Sequence, residues 1–465
     1  MPIRKITETD ITGDVQVTSA PNTVYIPGKA MDTTNGLKPR IFKTAAEFDA
    51  AEGYVDDLSH KLAKRLLQLG MYVLYEGCKV PNADGDKETA TVEYKMEKAV
   101  AEGDVSWSFK IGEITYTVNN NQVAWNDGTA KTAAITEGEA TISADLSMTF
   151  DFINGKVSCA EKISPSKDIV IDWNRLQNKT LYNIRFLTTG GYACPSSDMI
   201  ACAASRGDCI ALIDHAKTAT SDLKEGETVV GNVRKHMEQF KSDFAAGFTP
   251  WFKTRNDILG GSSEKEVSIP ASFGYLFAYA KSIKNNPSWL PVAGAARGII
   301  DDLTGVDYEY DEAEINALQK RVGLNEDGDN VGIAINPIAY MGESFGYLIW
   351  GNRTLNNNDA AKGLQAKSFL NVRNLVCELK KQIEAASLKY TFEPNNDVLW
   401  INWQAYLIPT LNRMESGAGI LGYKLIREKT TAKARLKARI IIVPIEGVED
   451  FEINVLMSDS LDVTE

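Results

Sequence analysis

Apolar positions along this chain repeat with two periods, and the switches between them divide it into segments. Val372, Leu375, Val376, Leu379, Ile383 and Ala386 recur at three- and four-residue spacing, which places them on one face of a helix. Phe392, Glu393, Pro394 and Asn395 then interrupt the pattern, because Pro394 has no backbone donor and biases Glu393 away from helical angles. Trp400, Trp403, Leu407 and Leu411 mark the face of a second helix, which Pro409 is expected to bend or end early. Near the amino terminus, Leu58, Leu62, Leu66 and Leu69 give another helical stripe that stops at Gly70, and Thr44 with Glu47 has capping-box spacing. Residues 23–26 read as a short strand ending at the turn pair Pro27-Gly28, and residues 71–75 and 209–213 as strands buried on both faces.

The period changes to two between residues 79 and 167. Val105, Trp107 and Phe109 alternate with serines, Ile114, Tyr116 and Val118 alternate with threonines, and Asn126-Asp127-Gly128 and Asn154-Gly155 supply turns. This predicts a small all-β domain inserted between two strands of another domain. From Leu181 the rhythm is β-α-β: a strand over 182–187, a turn at Gly190-Gly191, a helix capped by Ser197 and stopped by Gly207, and the strand at 209–213. Residues 248–252 read as an edge strand, and residues 269–273 lead into a helix rich in small and aromatic residues. Both chain ends look like strands without partners: Val15 and Val17 alternate within a polar arm, and Phe451, Ile453 and Val455 alternate with Glu452 and Asn454.

Several of these blocks, in this order, carry a resemblance. A helix, Phe392-Glu393-Pro394-Asn395, a helix bearing Trp400 and Trp403, and an upstream Trp350-Gly351-Asn352-Arg353-Thr354-Leu355 together resemble the C-terminal domain of contractile phage tail sheath proteins, a family whose relatives serve tailocins and other contractile injection systems. The family pattern has Ala where Asn352 stands. The resemblance continues from Leu436 to Val455 as strand, turn and strand, reaches the amino terminus more weakly, and leaves out residues 79–167. It implies a mixed α/β fold with a sheath-like core of two α/β domains, one discontinuous (21–78 and 168–345) and one C-terminal (346–447), with an extended arm (1–20) and a terminal strand arm (448–465); the inserted all-β domain (79–167) is read from the alternation alone. It further implies a structural subunit that polymerises helically, as stacked rings, around a tail tube and contracts to drive that tube through a cell envelope. The partners it implies are further copies of the chain, the tube protein, and the baseplate and terminator proteins. The location it implies is the tail of a virion made in a host bacterial cytoplasm. Terminal arms carrying Val15, Val17, Phe451, Ile453 and Val455 would weave neighbouring subunits together.

Composition narrows the alternatives. A chain of 465 residues, 44% hydrophobic, can bury large cores, and its net charge of -12 argues against general nucleic-acid binding, which needs cations to replace phosphate counterions. No span suits a bilayer, and the first residues lack the apolar core of a signal peptide, so cytoplasmic synthesis is the expectation. Six scattered cysteines, without Cys-x-x-Cys spacing, read as buried thiols. The acidic loops at 82–86 and 325–329 lack the Gly and Glu of calcium loops. Three histidines, without His-x-x-x-His spacing, suggest no metal set, and Cys209, Asp214 and His215 cannot converge if neighbouring strand residues face opposite ways. No cofactor is implied. The one enzyme-like alternative is an α/β enzyme with an anion or nucleotide site at the Gly190-Gly191 turn, although no complete phosphate-loop pattern accompanies it. Finally, Lys424, Arg427, Lys429, Lys433, Arg435, Lys437 and Arg439 form a basic run with Glu428 as its acid. It reads either as a solvated strand edge or, by the resemblance, as a surface facing an acidic tube, with Lys433, Arg435, Lys437 and Arg439 as the foremost candidates.

Overall fold

The computed structural model describes residues 22–81, 88–101, 104–111, 114–119, 121–126, 128–143, 146–163, 168–215, 223, 226–261, 264–319, 332–357, 365–431 and 434–447. Val15, Val17, Lys433, Phe451, Ile453, Val455 and both acidic loops lie outside them. The chain divides into two compact units, Met1–Lys79 with Ile171–Glu465, and Val80–Val170.

The larger unit is built on an eight-stranded sheet. Its strands are β1 (Thr23–Lys29), β2 (Leu37–Phe42), β3 (Tyr72–Cys78), β13 (Phe186–Leu187), β14 (Ile210–Asp214), β15 (Ala245–Thr249), β19 (Asn336–Tyr340) and β20 (Tyr347–Ile349); β4 to β12 belong to the other unit. The order is β2-β3-β1-β13-β14-β15-β19-β20. The six inner strands are parallel, and β2 and β20 pair antiparallel at the two edges. Successive inner-strand residues feed opposite cores, as the strand period requires. Val24, Ile26, Val73, Ile210, Leu212 and Phe248 pack under the helices α1 (Ala45–Asp49), α2 (Leu58–Gln68) and α6 (Ala271–Ser282). Tyr25, Leu74, Ala211, Ile213 and Ala245 pack under α3 (Trp173–Leu176), α4 (Ser196–Arg206), α5 (Val229–Met237) and α8 (Glu312–Gln319). Beside this sheet, β16 (Phe252–Arg255) joins β17 (Glu266–Ile269) and β18 (Gly305–Val306) in a three-stranded sheet, and α7 spans Gly294–Arg297.

Local chemistry explains the boundaries, including those that differ from expectation. Thr44 accepts the Glu47 N–H at 3.2 Å and Gly207 closes α4 with φ 67°, as anticipated. Pro27-Gly28 is part of β1, not a turn. Only Val24 and Tyr25 of β1 pair with β13, so Pro27 needs no donor on that side, and a Cβ at Gly28 would strike the Tyr75 ring. Ser197 lies inside the first turn of α4, whose cap residue is Pro195. Of the strand expected over 182–187, β13 keeps only the last two residues. Phe248 lies in an inner strand, between β14 and β19, because β15 ends at Thr249 and β16 starts a different sheet. The boundary expected at residue 346 runs through a hairpin, since β20 completes the main sheet against β19.

The smaller unit contains β4 (Glu88–Lys95), β5 (Glu97–Ala101), β6 (Asp104–Ile111), β7 (Ile114–Asn119), β8 (Gln122–Asn126), β9 (Ala130–Ala134), β10 (Glu139–Thr141), β11 (Leu146–Asp151) and β12 (Lys156–Ile163). They form two antiparallel sheets, β5-β6-β7-β8-β9 and β10-β11-β12-β4. Phe109, Tyr116, Val118, Val123, Met148, Phe150 and Val157 share one core between them, the first three among the residues whose alternation marked the strands.

Candidate functional site

The C-terminal part of the larger unit is a helical hairpin covered by a β-hairpin. Helix α9 (Leu370–Tyr390) carries the expected apolar face: Leu375, Leu379 and Ile383 are buried with Trp403, Leu407 and Leu411 of α10 (Asp397–Ser416). Trp400 stacks on Trp403, their ring centres 5.0 Å apart. Helix α10 continues through Pro409 to Ser416, contrary to expectation. Thr410, Leu411 and Met414, all buried, hold the turn beyond the proline, so packing offsets the missing backbone hydrogen bond. Asn396 caps the helix by accepting the Leu399 N–H at 2.9 Å.

The opposite side of α9 is buried too, which its polar sequence does not reveal. Arg185 donates to the Glu378 carboxylate and to the Asn374 carbonyl. Lys381 lies 2.9 Å from Asp208, which also holds Arg206 at 3.0 Å, and the two bases keep the Asp208 carboxyl below the usual range despite burial. Arg373 pairs with Asp243 and lies over the Phe244 ring, and Lys380 donates to the Gly207 carbonyl at 3.0 Å. Residues 185, 208 and 243–244 immediately precede β13, β14 and β15, so α9 crosses the amino ends of three parallel strands and is fastened to each. Asn352 belongs to the same junction. It is buried and exchanges hydrogen bonds with Asn371 of α9, 2.8 Å to the side-chain oxygen and 3.1 Å from the backbone N–H. An Ala there would leave the Asn371 side-chain oxygen and backbone N–H without Asn352, while its amide still donates to the Ile445 carbonyl at 3.2 Å.

The β-hairpin consists of β21 (Ile420–Glu428) and β22 (Lys437–Pro444), paired antiparallel. Ile420, Ala438 and Ile440 face the helices, and Trp289 locks the hairpin's root by donating to the Gly417 carbonyl at 2.9 Å. Among the described residues each strand has a single neighbour, leaving two open edges. Leu421, Ile441 and Val443 are exposed at 69%, 44% and 50%. A groove of about 210 Å³ lies between β22 and α9, lined by Val372, Val376, Leu379, Ile440, Ile442 and Pro444 with Lys380 near them. Open edges above an apolar groove suit the addition of a further strand.

The basic run divides in two. Lys437 and Arg439 both pair with Glu428, the first at 2.7 Å, and Arg427 pairs with Asp397 at 2.7 Å. Lys424, Lys429 and Arg435 are exposed and make no ion pair among the described residues. Two of the four foremost tube-facing candidates therefore spend their charge within the hairpin, and Lys424 and Lys429 present more. At the corner of the helices Glu393 and Asn395 are exposed, and Asn395 donates to the Arg435 carbonyl at 3.2 Å. Phe392 is 89% exposed with φ 79°, and Pro394 lets the chain turn into α10.

The Gly190-Gly191 turn lies where the strand order reverses, between β1 and β13, which is where α/β sheets hold ligands. Here the protein fills that crevice itself. A Cβ on Gly190 would come within 2.5 Å of the Pro27 carbonyl, Ser59 donates to that carbonyl, and Tyr192 donates to Asp57, a carboxylate that would repel an anion. Cys209, Asp214 and His215 do not meet: Asp214 accepts from Ser272 of α6, while His215 faces His236 of α5. All six cysteines are free thiols, and burial pushes those of Cys78, Cys202, Cys209 and Cys377 up.

Solved structures share this arrangement of elements. The sheath complex of an extracellular contractile injection system, PVC, in the contracted state matches with a TM-score of 0.56 at 13% identity, over 99% of this chain and 97% of that one. This chain has the fold of contractile sheath subunits. The helical sheath of the anti-feeding prophage, in the contracted state, matches at 0.54 and 12% identity, over 99% and 98%. A chain of that prophage's baseplate matches the sheath fold at 0.53 and 12%, over 98% and 99%. No protein-family model and no curated protein matches the sequence. The resemblance read from the helix, corner and tryptophan blocks is thus met at the level of the fold.

Proposed function

We propose that this chain is the subunit of a contractile sheath, which polymerises helically around an inner tube and shortens to drive that tube through a target envelope. The observation that carries the reading is the sheath fold over 99% of the chain, at a length nearly equal to that of its counterpart. The open hairpin adds a means of assembly. The arms 1–20 and 448–465 of adjacent copies, with the alternating Val15 and Val17 and Phe451, Ile453 and Val455, would extend β21 and β22 at their open edges. A contact repeated head to tail without closing builds an open helical filament. Because backbone pairing at the arms is local, it can persist while the globular bodies rotate and exchange larger interfaces. Lys424, Lys429 and Arg435 would face the tube, and partners at the ends would be baseplate and terminator proteins.

Electron microscopy of the purified chain tests the reading: tubes or stacked rings are expected, and compact particles alone at high concentration would contradict it. Chains lacking residues 1–20 or 448–465 are expected to fold and fail to form long tubes. Normal tubes from either truncation would remove that arm from the account.

A further inference from the structure

Two of the chain's three histidines meet in a way that the sheath reading does not use. The Nδ1 atoms of His215 and His236 are 3.2 Å apart, with ring centres separated by 5.1 Å and ring planes inclined at 60°. We infer that this pair is a bidentate seat for a divalent transition-metal ion, Ni²⁺, Zn²⁺ or Cu²⁺, at the carboxyl end of β14.

With a proton on either Nδ1 this contact is a hydrogen bond; with both rings in the other tautomer the two lone pairs converge on a point that a metal ion can occupy. Metal–imidazole bonds of about 2.0–2.1 Å at a tetrahedral angle separate two ligand nitrogens by about 3.3 Å, close to the separation here. Rings ligated in this way would have their centres about 5.2 Å apart, close to the observed 5.1 Å.

The surroundings favour ligation. Both rings are half-buried. Both carriers are fixed. The Trp251 indole N–H donates to the His215 carbonyl at 2.7 Å, Val229, Val233 and Met237 bury the face of α5, and the His236 ring meets the edge of Phe240. Neighbouring charges are engaged elsewhere: Asp214 with Ser272, and Arg234 with Glu238 and the Ala317 carbonyl, while Lys235 is exposed. Among the described residues no third His, Cys, Asp or Glu joins the pair. Nitrogen donors select these metals over Mg²⁺ and Ca²⁺.

Calorimetric titration of the full chain at pH 7.5 with Ni²⁺ alone tests the inference. One equivalent should bind saturably, His215→Gln and His236→Gln should each weaken binding at least tenfold, and His60→Gln should leave it unchanged. Cu²⁺ bound to the wild-type chain should show two imidazole nitrogens by electron paramagnetic resonance, a readout that holds even if a variant folds poorly. Absent binding, binding indifferent to His236→Gln, or a spectrum without two nitrogens would overturn the site and leave the sheath reading untouched.

Discussion

Arg185 and Glu378 show what the buried residues of the α9 junction contribute. Neither is accessible, and removing one leaves the other in the interior without its ion partner, Glu378 keeping the Gln382 amide and Arg185 the Asn374 carbonyl. Glu378→Leu is therefore expected to cost about 3–5 kcal/mol, and Arg185→Met with Glu378→Leu clearly less than the sum of the single changes, measured by denaturant unfolding. Asn352→Ala should destabilise by about 1–2 kcal/mol because the buried Asn371 side-chain oxygen and backbone N–H lose Asn352. The histidines set a pH dependence. His215 is held neutral in the fold down to about pH 4 but takes up a proton near pH 6.5 when unfolded, so unfolding binds protons in that window. In metal-free buffer the stability of the wild-type chain relative to His215→Gln should therefore fall as pH drops from 6.5 toward 4; the comparison cancels Asp214, whose carboxyl burial raises to about 7 and which acts with opposite sign in the same window. Little of this was legible in the sequence. Arg185 and Glu378 lie 193 positions apart, and a lysine or arginine on a helix looks the same whether it faces water or a buried carboxylate.

Elements were more legible where one periodic face decides them. The apolar stripes of α2, α9 and α10 could be read directly, as could the capped start of α1 and the glycine at the end of α4. What escaped were features set by remote contact: the second buried side of α9, the passage of α10 through Pro409, and the place of β15 inside the sheet. The β21–β22 hairpin lies between these cases, since its basic run was visible but the pairing of Lys437 and Arg439 with Glu428 was not. That pairing changes the choice of mutations. Reversing Lys424, Lys429 and Arg435 to Glu should weaken binding to a tube while moving the melting temperature little, because exposed charges contribute little to stability. Reversing Lys437 and Arg439 should disturb the hairpin itself. Tube binding unaffected by the first triple change at low salt would make those three residues ordinary surface.

For the whole molecule, the smaller unit has its own core and two sheets, and its ends return to one larger unit. It should therefore be dispensable for the fold: replacing residues 79–167 by a short Gly-Ser linker is expected to give a soluble subunit that still assembles, and an insoluble product would contradict this. The larger unit, with its doubly covered sheet and open hairpin, carries the sheath reading. The most direct test is a helical cryo-EM reconstruction of tubes formed by the full chain. The account predicts a hollow tube whose lumen is lined by Lys424, Lys429 and Arg435, with the terminal arms of adjacent copies added to β21 and β22. A filament without a lumen, or a tube in which the hairpin keeps both edges open and faces outward, would contradict it.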